Sequence, residues 1–171
     1  MSKNMIFRLG VDASDFKQKM TQAGEEYGRT KFGDGNSYRS DPELNMIRWH
    51  QTLEFSDLLE YYEGLISLRK KLPGMYDKSA AAAERISERK IWKDGVVSFC
   101  VDNTAEDNES GFGKLFVVYN GENKQAAVTL PDGEWTVLAD KNMTDCRKMP
   151  ALTSDGQLIV EGLSGMILGQ K

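Results

Sequence analysis

The chain has 171 residues, of which 40% are hydrophobic, and a net charge of −4 at neutral pH. This length suits one domain, or one domain with part of another, and 40% hydrophobic residues are enough for a real core. The basic residues are scattered and no apolar run approaches the roughly 18 residues of a membrane span, so we expect neither nucleic acid nor a membrane as a partner.

The first 21 residues form an atypical N-terminal segment. Met5 to Val11 could form a short strand, and Ser14 could cap a short helix that reaches Met20. The segment has no basic region followed by an apolar core and a cleavage site, so we expect no export signal in it. The cellular location stays open.

The next stretch, Gln22 to Tyr38, is dense in Gly, Asp, Asn, Ser and charged residues. Glycine costs backbone entropy in a helix or strand, and short polar side chains compete for backbone hydrogen bonds, so an ordered loop is expected. Its side chains are of the kinds that hydrogen-bond sugar hydroxyls and stack on sugar rings. On composition alone, a solvated surface loop is the simpler interpretation.

A single long helix is predicted after this loop. Ser56 is suited to be its N-cap, the basic run Arg69 to Lys71 suits its C-terminal dipole, and Pro73-Gly74 ends it. In the Tyr61-Tyr62 pair we expect one ring in the core and one at its rim. The helix face at helical spacing comprises Leu58, Leu59, Tyr62, Leu65, Ile66 and Arg69.

A linker or short helical turn is expected around Ser79 to Glu84, and beyond it the hydrophobic period changes to two. Seven short strands separated by Gly, Asn, Asp and Pro turns indicate an antiparallel β-sandwich. The predicted strands are Ile86 to Trp92, Val96 to Asp102, Lys114 to Asn120, Ala126 to Leu130, Glu134 to Asp140, Gln157 to Glu161 and Gly165 to Leu168. The predicted core comprises Val97, Phe99, Val101, Leu115, Val117, Tyr119, Val128, Leu130, Trp135, Val137, Leu138, Ile159 and Met166.

Cysteine and histidine are too few for a dedicated metal site. Cys100 and Cys146 lie far apart in the sequence, and the only histidine is His50, beside Trp49. We expect Cys100 to be a buried free thiol, although one disulfide remains an alternative. No metal and no cofactor are expected.

Three motifs in order resemble one family. AGEEYGRTKFGDGNSY at residues 23–38, N-x-I-x-W at residues 45–49 and YYEGLISLRKKLP at residues 61–73 are similar to the C-terminal part of type I pullulanases. These are debranching enzymes of the alpha-amylase superfamily, glycoside hydrolase family 13, which hydrolyse alpha-1,6 branches in pullulan, glycogen and starch. The resemblance extends from about Gln22 to the C-terminus.

The resemblance implies a division of the chain. Residues 22–74 would be the end of a (β/α)8 barrel, with its last strand, its substrate loop and its last helix, and residues 79–171 the C-terminal β-sandwich domain. Residues 1–21 depart from the pattern, because Lys17 and Lys19 do not suit a barrel strand that is buried on both faces. A complete barrel does not fit, since that fold needs roughly 250 residues.

The resemblance also implies which residues bind substrate. Lys31, Asp34, Asn36 and Tyr38 would contact a branched alpha-glucan in the full enzyme. The family's catalytic carboxylates precede the matching part, so no catalytic residue transfers to this chain, and we expect the isolated chain to be inactive.

The sequence is compatible with three functions. The chain is either the C-terminal part of a debranching enzyme, a stand-alone carbohydrate-binding module, or a structural or interaction protein that reuses the fragment. A binding module would need Trp92, Trp135 or Tyr119 exposed on one sandwich face, whereas period two places Trp135 in the core with Val137. The first function is favoured.

Overall fold

The structure is a computed structural model that describes residues 23–93, 95–144, 151–152 and 156–171, with the backbone alone at 151–152. The predicted strand and helix within residues 1–21, the side chain of Cys146 and part of the turns at Asp94 and Asp155 lie outside these ranges. Eight strands are described: β1 Ile86–Lys93, β2 Val96–Asp102, β3 Lys114–Asn120, β4 Ala126–Thr129, β5 Trp135–Ala139, β6 Ala151–Leu152, β7 Gln157–Val160 and β8 Ser164–Gln170. The seven predicted strands are confirmed, and β6 is additional.

The strands form two antiparallel sheets. The larger has the order β1-β2-β3-β8-β5-β6, and the smaller pairs β4 with β7. Together they make an antiparallel β-sandwich without a closed barrel in the part of the chain that the structure describes. Hairpin connections such as β1 to β2 place consecutive strands side by side, as short turns require.

In the part of the chain that the structure describes, four α-helices precede the sheets. They are α1 Pro42–Asn45, α2 Gln51–Glu54, α3 Ser56–Lys71 and α4 Pro73–Tyr76, with 3₁₀ turns at Glu25–Tyr27, Ser37–Arg39 and Ala80–Arg85. The predicted helix is α3, but Ser56 is its first residue rather than its N-cap. Phe55 takes the N-cap position because α2 ends there and the chain re-enters a helix at once.

Helix α3 packs on the outer face of the larger sheet. Leu58, Tyr61 and Leu68 are buried there, in one cluster with sheet residues that include Phe99 and Val117. Both tyrosines of the pair are buried, with Tyr62 only 9% exposed, so the expected rim position of one ring was wrong. Ile66 is 52% exposed, because the helix has a narrower contact face than its sequence period suggested.

The larger sheet is consequently buried on both faces, which changes where the core lies. Phe99, Val101, Leu115 and Val117 are buried as predicted, but against α3 and α4 rather than between the sheets. The layer between the sheets comes from the alternate residues of the larger sheet, as the two-residue period requires, and from β4 and β7 of the smaller sheet. It includes Val96, Cys100, Phe116, Val118, Val128, Trp135, Val137, Leu158, Val160 and Leu168. Cys100 is the buried free thiol that was expected, whereas Ile159 is 53% exposed and not core.

Hydrogen bonds and one close backbone approach attach the helices to the sandwich. The Tyr61 hydroxyl donates to the Asp140 carbonyl at 2.6 Å, and the Gly74 N–H donates to Oδ1 of the fully buried Asn103 at 2.9 Å. Gly64 lies against Thr144, so close that a Cβ at position 64 would be 1.8 Å from the Thr144 Oγ1 atom. Glycine is therefore required in the middle of α3 by the approach of the loop after β5.

Gly64→Ala tests this contact. In an exposed helix the change would stabilise by about 0.5–1 kcal/mol, but here we expect a net destabilisation of about 1–3 kcal/mol, because the new methyl group overpacks against Thr144. Chemical denaturation measures the difference. The double variant Gly64→Ala/Thr144→Gly should recover part of the loss, and Gly64→Ala as stable as the parent would contradict the contact.

Candidate functional site

The candidate site is the loop that contains the first 3₁₀ turn and leads to α1. It begins at Gly24, which has φ +97° and whose N–H donates to Glu26 Oε2 at 2.9 Å. A Cβ at Gly24 would lie 2.6 Å from Arg29 Cδ, so only glycine fits this turn. The family pattern implied the end of a strand at residues 25–27, but these residues form a 3₁₀ turn. Glu26 acts as a half-buried hydrogen-bonding carboxylate that closes this turn.

This turn is fixed against α3. Tyr27 is 1% exposed, and Tyr62 of α3 lies close enough to the turn to sense its carboxylates. Burial, followed by the nearby charges of Glu25 and Glu26, raises the pKa of Tyr62 to about 12. The loop therefore starts from a residue that is held by the same helix that packs on the β-sandwich.

A polar network holds the middle of the loop. Ser37 is 6% exposed, and its Oγ accepts a hydrogen bond from Lys31 Nζ at 2.5 Å and donates to Asn45 Oδ1 at 2.9 Å. Asn45 Nδ2 returns a hydrogen bond to the Ser37 carbonyl at 2.7 Å. The Arg29 guanidinium donates to the carbonyls of Asn45 and Ala23. Buried polar groups need such partners, so this network determines the loop conformation.

Asp34 lies at the exposed tip of the loop. Its carboxylate accepts from the Asn36 N–H at 2.9 Å and from Ser40 Oγ at 2.5 Å. The Ser40 hydrogen bond, then the Asn36 N–H, and a smaller contribution from the charge of Lys31 lower the pKa of Asp34 below its usual value. Asp34 is thus held ionised, as a preoriented acceptor for hydroxyl donors.

Aromatic rings stand at the edge of this loop. Tyr38 is 71% exposed, with the Arg39 guanidinium carbon 5.1 Å from its ring centroid, and Phe32 is 78% exposed. Trp49 is 69% exposed, and its ring centroid lies 6.3 Å from that of Tyr27. Exposed rings on a fixed loop can stack on the apolar face of a sugar.

The structure places the four predicted residues on one short loop. Asp34 and Asn36 are joined directly, and Lys31 contributes to the field at Asp34, while Tyr38 points to solvent. The sequence reasoning missed the supporting roles of Ser37 and Asn45. The N-x-I-x-W spacing was the available signal for Asn45, since it marks a fixed residue directly after the loop.

A shallow depression lies on the flank of the loop. It is lined by Arg29, Thr30, Phe32, Glu43, Leu44, Met46, Arg48 and Gln51. None of the four predicted residues lines it, so it does not coincide with the polar tip of the loop.

The β-sandwich does not present an aromatic platform in the part of the chain that is described. Trp135 is fully buried, edge-on to Phe116 at 5.9 Å, and its Nε1 donates to the Pro131 carbonyl at 2.8 Å. Lys90 Nζ covers the ring of Trp92 at 3.5 Å from its centroid. Tyr119 is half-buried with its ring 6.3 Å from that of Phe99. The rings of Trp92, Trp135 and Tyr119, which a binding module would use, are instead packed against other side chains.

Among the described residues, none of the helices is both long and apolar enough to cross a bilayer, and no group of three or more His, Cys, Asp or Glu side chains is arranged to hold a metal ion.

Known proteins match both the sequence and the fold. The family model described as "Pullulanase, all-beta domain" matches residues 90–143. A pullulanase of Bacillus subtilis (strain 168) is 28% identical over 144 residues, which are 81% of this chain and 20% of the relative. A glycogen debranching enzyme of Cronobacter sakazakii is 32% identical over 128 residues, which are 68% of this chain and 18% of the relative. The chain thus spans about a fifth of the length of these relatives.

The fold is similar to that of a solved enzyme. Type I pullulanase from Bacillus subtilis strain 168, in complex with maltose, superposes with a TM-score of 0.77 at 24% identity. The match covers 98% of this chain and 23% of that structure. At this identity the likeness concerns the fold.

Ser40→Ala tests the electrostatics of Asp34. Removing the hydroxyl that contributes most should raise the pKa of Asp34 toward its ordinary value, so that the carboxylate protonates at a higher pH than in the parent. Carboxyl-carbon NMR titration of both proteins measures the shift. Ser67→Ala, an exposed serine of α3, is the matched control. An Asp34 pKa that is the same in Ser40→Ala and the parent would contradict the assigned cause.

Proposed function

We propose that this chain, which corresponds to part of a pullulanase-type debranching enzyme of glycoside hydrolase family 13, supplies that enzyme with substrate-loop contacts and a supporting β domain. The catalytic carboxylates would lie in other parts of the full enzyme, which hydrolyses alpha-1,6 branches of pullulan, glycogen or starch. The observation that carries the proposal is the preoriented polar loop of residues 31–38, mounted on a chain that matches debranching enzymes.

The proposed division follows the motifs. Residues 22–74 would be the end of the enzyme's barrel and residues 79–171 its C-terminal β domain, with residues 1–21 atypical. The change from helices to strands at Ala80–Arg85 and β1 supports this boundary.

The proposed ligand is a branched alpha-glucan. Lys31 would donate to sugar oxygens and Asp34 would accept from sugar hydroxyls, since a charged partner makes these hydrogen bonds stronger. Asn36 can donate and accept, and the exposed ring of Tyr38 can stack on a sugar face. The maltose complex of the Bacillus subtilis pullulanase supports a ligand of this class.

The polar contacts outside the loop support a scaffold role for the β domain. The hydrogen bonds from Tyr61 to Asp140 and from Gly74 to Asn103 join the helices to the sandwich at two separate points. A β domain attached in this way would hold the loop in place while taking no direct part in the chemistry.

Calorimetric titration with a branched maltooligosaccharide tests the substrate contacts. We expect the chain to bind and Asp34→Ala to weaken binding by about tenfold, because the variant loses the charged acceptor for sugar hydroxyls. The fluorescence of the exposed Trp49 reports binding independently. Asp34→Asn keeps the shape of the side chain and removes its charge, which separates the contribution of the charge from that of the side-chain shape.

Asp132→Ala is the matched control, since Asp132 is an exposed aspartate in a turn of the β domain. It should bind the sugar like the parent. Two results would contradict the assignment of Lys31, Asp34, Asn36 and Tyr38 to sugar recognition in this chain. One is a parent protein that does not bind the sugar, and the other is equal binding by Asp34→Ala and Asp132→Ala.

A further inference from the structure

Asn45 occupies the point where the two flanks of the loop meet. It is the last residue of α1, where backbone carbonyls lack partners within the helix. Its carbonyl accepts instead from the Arg29 guanidinium, which also donates to the Ala23 carbonyl at 3.0 Å. One residue after the loop is thereby tied to the segment before it.

The side chain of Asn45 has a defined orientation. Nδ2 donates to the Ser37 carbonyl at 2.7 Å, and Oδ1 accepts from Ser37 Oγ at 2.9 Å. Exchanging the amide nitrogen and oxygen would set a donor against the Ser37 hydroxyl and an acceptor against its carbonyl. Asn45 therefore recognises the backbone and the hydroxyl of Ser37 at the same time.

This pair of contacts directs the hydrogen bond of Lys31. Because the Ser37 hydroxyl donates its hydrogen to Asn45, its oxygen is left to accept from Lys31 Nζ at 2.5 Å. The Lys31 ammonium group is thus held where its charge helps to lower the pKa of Asp34. The order Asn45, Ser37, Lys31 and Asp34 runs from the half-buried base of the loop to its exposed tip.

We infer that Asn45 is a positioning residue, which fixes residues 31–38 in the conformation that recognises sugar. The inference rests on the proposed function for the sugar contacts themselves, but the fixing of the loop does not require a ligand. Asn45 would not touch the sugar, and it would act through Ser37 and Lys31.

Hydrogen exchange tests the fixing of the loop. The amides of Asp34 and Ser40 donate to the carbonyls of Lys31 and Ser37, so they report the loop conformation. In Asn45→Ala and Asn45→Asp we expect these two amides to exchange at least about tenfold faster, with no change in β2 and β3. Asn45→Asp keeps the size and the acceptor but removes the donor to the Ser37 carbonyl.

Sugar titration of the same variants tests the functional consequence. Asn45→Asp should bind the branched maltooligosaccharide at least about tenfold more weakly than the parent, at a similar melting temperature. Asn142→Asp, an exposed asparagine of the β domain, introduces the same charge far along the sequence and should behave like the parent. Ser37→Ala, which removes the hydroxyl between Asn45 and Lys31, should also weaken binding. The double variant Asn45→Ala/Ser37→Ala should weaken it by less than the sum of the two single changes, because each of them already removes the hydrogen bond from Ser37 Oγ to Asn45 Oδ1.

Two results would overturn the inference. Unchanged exchange at Asp34 and Ser40 in Asn45→Ala would show that the loop does not depend on Asn45, and an equal acceleration in β2 and β3 would show a general loss of stability instead. A parent chain that binds no sugar would refute the proposed sugar contacts, while the exchange result would still decide the role of Asn45 in the loop.

Discussion

The packing of α3 on the larger sheet is the interaction on which the rest of the structure depends. One side of the helix is buried with Phe99 and Val117 of the sheet, and Gly64 allows the loop at Thr144 to approach its backbone. Tyr62 of the same helix lies near the carboxylates of the turn that begins the candidate site. Removing this helix would separate the loop from the two core layers of the β-sandwich.

The loop itself is built on a different principle. It buries little apolar surface, and several of its large side chains, such as Phe32 and Tyr38, face solvent. Hydrogen bonds among Lys31, Ser37 and Asn45 replace a hydrophobic core as the source of order. Such an arrangement keeps polar groups at fixed positions and leaves rings exposed, which is what recognition of a sugar needs.

The division between these two principles matches the proposed division of work. The β domain and α3 provide apolar burial, in which aromatic rings such as Trp135 serve packing. The loop provides directed polar groups and exposed rings. A stand-alone binding module would instead carry its rings on the sandwich, and the packing of Trp92 under Lys90 leaves that surface unsuited to stacking.

Sequence alone determined the strands, the long helix and the position of the polar loop, because these depend on local period, turn residues and capping. It also brought Lys31, Asp34, Asn36 and Tyr38 onto one loop. Only the tertiary structure decided which face of β2 and β3 meets the helix and which meets the second sheet, since a sheet buried on both faces gives no preferred side to its apolar residues. Tertiary structure also decided the pairing of Ser37 with Asn45: the N-x-I-x-W motif marks Asn45, but it does not specify a partner eight residues away.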